Sequence, residues 1–183
     1  GAMLVPVKAG ARTVRLGLFG LTIDSNKQPW VRYAPAVESA RAAVAELRKE
    51  KVDVIVALTH LALASDRELT EEVPEIDLIL GGHEHENWVI ERGPRFTPIV
   101  KADSNVRTVA VVTLRLPAPH ARRGAAPATQ RPDVTTKIVT IDDTMKITGT
   151  STRFVAPYAI AAMPARYAFE RGAWEEATKL QPL

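Results

Sequence analysis

Cysteine is absent from the 183 residues, which excludes disulfides and thiolate metal sites and leaves the redox compartment open. Aromatic residues make up only 5% of the chain, too few for the stacking platforms of a single-strand nucleic-acid binder, so no nucleic-acid polymer is expected as a partner. No apolar run approaches the roughly 18 residues of a membrane span, and no signal-peptide pattern opens the chain. Neither sign of charge dominates. The 24 basic and 21 acidic residues leave a net charge of +3, which favours solubility and designates no particular partner. Internal repeats are also missing.

What is present is an ordinary globular composition, 46% apolar, in a length that suits one domain with an appendage. Residues 1–3 (GAM) read as the scar of a removed purification tag. Residues 13–23 (TVRLGLFGLTI) are nearly continuous in apolar character, as expected for a strand covered on both faces. Gly17 and Gly20 leave room there for a neighbouring group. After Pro35, Val37, Ala40, Val44 and Leu47 recur at spacings of three and four, which predicts a helix. Residues 52–60 (VDVIVALTH) then predict a strand, and the strand, helix, strand order calls for parallel pairing.

A shorter helix is expected over residues 65–73, with Ser65 as N-cap, Glu68 completing a capping box, and Pro74 as terminator. Residues 76–80 predict a third strand that runs into Gly81-Gly82-His83-Glu84-His85. Further short strands are expected at 88–91, 98–102 and 108–116, with Gly93-Pro94 as hairpin punctuation. Residues 117–133, rich in Pro, Ala and Arg, read as a connector, and His120 within it as a solvated linker residue. Beyond it, residues 134–141 and 145–148 predict two short strands, and residues 164–180 a weakly helical tail.

Three of the four histidines, His60, His83 and His85, follow apolar strands. Histidine is the commonest metal ligand, and strand ends feeding loops are where α/β proteins place their chemistry. A metal site built from His60, His83 and His85 is therefore expected at one edge of a sheet. In extended backbone His83 and His85 would point to opposite sides, so either the glycine pair redirects them or each serves a different ion. Glu84 and Glu86 read as exposed turn residues, and no catalytic side chain is assigned.

Residues 52–60 (VDVIVALTH), 69–74 (LTEEVP) and 76–85 (IDLILGGHEH) together resemble the C-terminal half of the metallophosphoesterase, or calcineurin-like, domain of the 5′-nucleotidase family. That family has a strand ending in Thr-His, a helix, then an apolar strand ending in Gly-Gly-His-x-His. Residues 97–105 (TPIVKADSN) resemble the strand and turn that follow. The resemblance covers about residues 14–116.

It implies an α/β fold, the second half of a four-layered αββα sandwich with a mixed sheet and flanking helices. It also implies a phosphoester hydrolase with two divalent metals (Mn, Zn, Fe or similar), acting on nucleotides or other phosphoesters. Carried over position by position, His60 and His83 would ligate one metal and His85 the other. Residues 4–116 would be the half-domain, 117–133 the connector and 134–183 the tail. The resemblance favours periplasmic or extracellular placement and leaves the cytoplasm open.

The family's Asp-x-His, bridging Asp and Gly-Asn-His-Asp/Glu segments do not occur in this sequence. The expectation is therefore a fragment that lacks the N-terminal ligands and the substrate domain. Such a fragment would hold at most one metal, be nearly inactive alone, need its missing N-terminal half as a partner, and self-associate through an uncovered sheet face. Two alternatives stay open: a non-catalytic metal-binding or structural module, and a single-zinc hydrolase using the three histidines.

Overall fold

The computed structural model describes residues 1–25, 29–117 and 131–141. His120, the expected strand at 145–148 and the expected helix at 164–180 lie outside the described residues. The chain divides into two units, Gly1–Thr140 and Ile141–Leu183, and the elements below belong to the first.

A strand is favoured wherever apolar side chains must be buried on both faces of an extended segment, and the described residues contain four such runs. They are β2 (Arg12–Thr22), β3 (Val54–His60), β4 (Leu78–Gly81) and β6 (Thr97–Lys101), and they pair parallel in that order. Antiparallel strands close both edges, β1 (Ala2–Ala9) beside β2 and β5 (Trp88–Arg92) beside β6. The mixed sheet has the order β1-β2-β3-β4-β6-β5. β1 falls where the sequence suggested a tag scar and no element. It carries Pro6, which an outermost strand tolerates.

Helix α1 (Ala36–Lys49) buries Ala40, Val44 and Leu47, the stripe read from the sequence. Its last turn presses onto β2 at Gly17, where an added Cβ would lie 2.9 Å from Leu47 Cδ2. Helix α2 (Leu63–Glu72) starts two residues earlier than expected, with Ala62 at the N-cap and no side-chain cap of its own. The Ser65 capping box is therefore corrected: Ser65 already lies inside the first turn, because a carboxylate from a distant loop takes over the capping role.

The two faces of the sheet are covered differently. On one, α1 and α2 pack with Phe19, Ile55, Ala57, Ile79 and Ile99 around a core that includes Leu69, Val73 and Ile76. On the other, Val14, Val54, Val56, Leu78 and Val100 pack under Ala110, Val112, Leu114 and Val134. Those covering residues belong to β7 (Thr108–Arg115) and β8 (Asp133–Thr140), an antiparallel pair. The result is a helical layer, a six-stranded layer and part of a second β layer, matching the expected half of an αββα sandwich.

Arg131, expected in the connector, is held against the main sheet. Its guanidinium meets Asp77 Oδ1 at 3.2 Å, donates to the Arg95 carbonyl at 2.6 Å and to Thr97 Oγ1 at 3.0 Å, and also reaches the Ile76 carbonyl.

Candidate metal centre

Because β2, β3, β4 and β6 are parallel, their last residues gather at one edge of the sheet. Thr22 pairs with His60, Thr59 with Gly81, and Gly81 with Lys101. The ladder continues into the loops through Ile23 N–H to the His60 carbonyl at 2.8 Å and Gly82 N–H to the Thr59 carbonyl at 3.1 Å. Alternation along β3 places His60 on the same face as Val54, Val56 and Leu58.

His83 follows the glycine pair with φ 92°, and His85 has φ 60°. Both lie in the left-handed region, so the loop is turned rather than extended. The turn brings the His83 ring to 5.4 Å from that of His60, centroid to centroid, at an interplanar angle of 72°. His85 is exposed. Among the described residues no group of three or more His, Cys, Asp or Glu is placed to hold one metal ion.

Two imidazoles sharing an ion at metal–nitrogen distances of about 2.0–2.1 Å bring their ring centres to about 5 Å in a tetrahedral arrangement. The His60–His83 pair fits that spacing, as two members of a larger ligand set.

Behind the loop lies a buried charge cluster that sequence reasoning missed. Lys101 and Asp66 have fully buried side chains, with Lys101 Nζ 2.5 Å from Asp66 Oδ2. The same ammonium donates to the Leu61 carbonyl at 2.6 Å and pairs with Glu84 Oε2 at 2.8 Å. Glu84 Oε1 accepts the Leu63 N–H at 2.5 Å, which caps α2 from outside. Glu84 thus turns inward, against the exposed position expected for it, whereas Glu86 is exposed. The signal that was available is the lysine ending the apolar strand TPIVK, since a cation in such a run must find an anion.

One ammonium serves two carboxylates, and their surroundings push them apart. Burial raises the Asp66 carboxyl above its ordinary value, and the Lys101 contact does not bring it back. Burial also acts upward on Glu84, but Lys101 and the Leu63 N–H together hold it below the ordinary range. At the loop's far end, burial pushes Asp103 up, and bonds from Arg107 and the Ser104 N–H, with the nearby charge of His85, hold it lower still.

No protein-family profile matches the chain. An apyrase of Aedes albopictus is 33% identical over 86 residues, 44% of this chain and 15% of that protein. The trifunctional nucleotide phosphoesterase YfkN of Bacillus subtilis is 38% identical over 77 residues, 39% of this chain and 5% of that protein. The crystal structure of a 5′-nucleotidase precursor from Thermus thermophilus superposes on 75% of this chain and 29% of that one, with a TM-score of 0.56 and 21% identity. Over part of its length the chain is similar to metallophosphoesterases of the 5′-nucleotidase family. Calcineurin-like phosphoesterases generally use divalent metals, and the His60–His83 pair of this chain lies at the C-terminal edge of its parallel strands. The chain spans well under a fifth of the length of the two curated relatives named.

Proposed function

We propose that this chain supplies one side of the metal centre of a nucleotide-type phosphoester hydrolase. The observation that carries the reading is the His60–His83 ring pair, 5.4 Å apart at the C-terminal edge of parallel strands. His60 and His83 would hold one divalent ion, and the exposed His85 would serve a second. Divalent ions held there would supply activation of a bound water and charge neutralisation of the phosphoryl group. The chain's own contribution is to present two imidazoles from a firm sheet edge and a capped loop.

The bridging carboxylate and the remaining ligands come from the N-terminal half of the same domain type. The single-zinc reading requires His85 to join His60 and His83, and the described geometry gives it no support. The substrate class, nucleotides or related phosphoesters, follows the names of the relatives.

The test is calorimetric titration of the 183-residue chain with Zn²⁺ and Mn²⁺, beside an assay with a generic phosphomonoester. The expected result is weak binding of one ion, abolished in His83→Ala and retained in His85→Ala, with little or no hydrolysis. Robust metal-dependent hydrolysis by this chain would overturn the incomplete-centre reading. Equal binding by wild type and His83→Ala would overturn the ligand assignment.

A further inference from the structure

The buried charge cluster lies outside the reaction chemistry above, yet it reaches the histidine loop through a single residue. Lys101 is satisfied by Asp66 from α2, by the Leu61 carbonyl and by Glu84 from the loop. Asp66 and Lys101 sit on packed elements with fully buried side chains, so their positions are fixed by the core. Glu84 is the member that belongs to the loop. Both of its oxygens are engaged inward, one by Lys101 and one by the Leu63 N–H, so it is not available as a ligand toward solvent.

Its two chain neighbours are the histidines with positive φ. A non-glycine residue keeps such a backbone only where its surroundings over-determine it. Glu84 provides that determination: it ties the loop to the β6 end and to the α2 N-terminus at once. Gly81 leaves the space for this tie, because a Cβ there would lie 2.8 Å from Thr59 Oγ1 and 3.3 Å from Asp66 Oδ2.

We infer that Glu84 is a positioning residue, held by Lys101, Asp66 and the α2 N-terminus, that sets the His83 ring opposite His60 for a divalent cation. The inference rests on the metal reading above and adds to it the device that pre-sets the pair. Groups that orient ligands from behind affect metal affinity by about 10–100-fold when removed.

The experiment uses the full 183-residue chain and Zn²⁺ as the probe. It has two readouts, calorimetric affinity and the ring-to-ring nuclear Overhauser contact between His60 and His83 in the absence of metal. Glu84→Ala is expected to weaken Zn²⁺ binding about 10–100-fold and to abolish the ring contact. Glu84→Gln keeps an acceptor for the Leu63 N–H and is expected to recover part of both. Asp66→Asn perturbs the same ammonium away from the loop. It is expected to shift the melting midpoint while leaving the ring contact in place.

A purely structural role would make affinity follow melting midpoint across all three variants, and that result overturns the inference. So does a Glu84→Ala chain that keeps wild-type affinity and the ring contact. If the wild type itself binds no Zn²⁺, the metal reading fails. The ring contact in wild type and in Glu84→Ala then still decides whether Glu84 positions His83.

Discussion

At the scale of single residues, the glycine pair divides into two different requirements. Gly81 faces the buried cluster, where a Cβ would meet Thr59, Asp66 and Lys101, the last at 3.4 Å from Cε. Gly82 has only His60 Nδ1 nearby, at 3.8 Å, an ordinary contact. Gly81→Ala is expected to cost about 1–3 kcal/mol by overpacking, read from urea denaturation, with Gly82→Ala close to wild type. Equal stability of the two variants would count against tight packing at Gly81. The sequence marked both glycines as a turn, but it could not show that one of them clears space for a lysine 20 positions later. Asp66 supports a pH prediction. Its folded-state pKa lies above 3.8, so the native state binds the proton more tightly, and the associated stability is lost as pH rises through the folded value. Relative to Asp66→Asn, the wild type should therefore lose stability as pH rises above 3.8. Thermal melts of both proteins at matched pH test it, and parallel profiles would refute the raised value.

At the scale of elements, apolar periodicity placed β2, β3, α1 and the strands after the histidines close to their observed bounds. Those elements are decided by burial, which a local pattern records. The failures have a different origin. β1 went unread because Pro6 and Lys8 weaken its pattern, and an edge strand needs only one good neighbour. The start of α2 was displaced because its cap comes from Glu84, 21 residues away, and no local motif encodes it. Arg131 looked like linker for the same reason. Its partners Asp77, Arg95 and Thr97 are more than 30 positions distant, and together they fasten the start of β8 to the main sheet. Arg131→Ala is expected to cost about 2–3 kcal/mol. Hydrogen exchange should then show β8 amides losing protection while β3 amides keep theirs, whereas uniform loss would contradict a local fastening role.

At the scale of the whole unit, the described residues of β7 and β8 cover their face of the sheet only in part. Toward the histidine edge Leu58 is 44% exposed and Val89 50%, on the face that carries Leu18 and Leu80. Exposed apolar surface of this kind favours association. Sedimentation velocity is expected to show concentration-dependent self-association that Leu58→Glu reduces. A wild type that stays monomeric across the accessible concentration range would refute it. The half-sandwich was legible because the Thr-His, helix, Gly-Gly-His-x-His order is specific. The pairing of His60 with His83 and the separation of His85 were not, because they depend on two positive φ values that spacing alone does not encode.

The arrangement of the sheet also bears on how the chain acquires it. Its antiparallel partnerships, β1 with β2 and β5 with β6, join segments separated by two and four residues. The parallel partnerships in the middle must each close a much longer crossover first, which costs loop entropy before any pairing rewards it. Refolding should accordingly register the hairpins at both margins before the central strands, an order that pulse-labelled amide exchange would reveal. Early protection of β3 and β4 would refute it. The histidine pair spans the end of β3 and the loop after β4, so the chain assembles its chemical edge last, after both rims have formed.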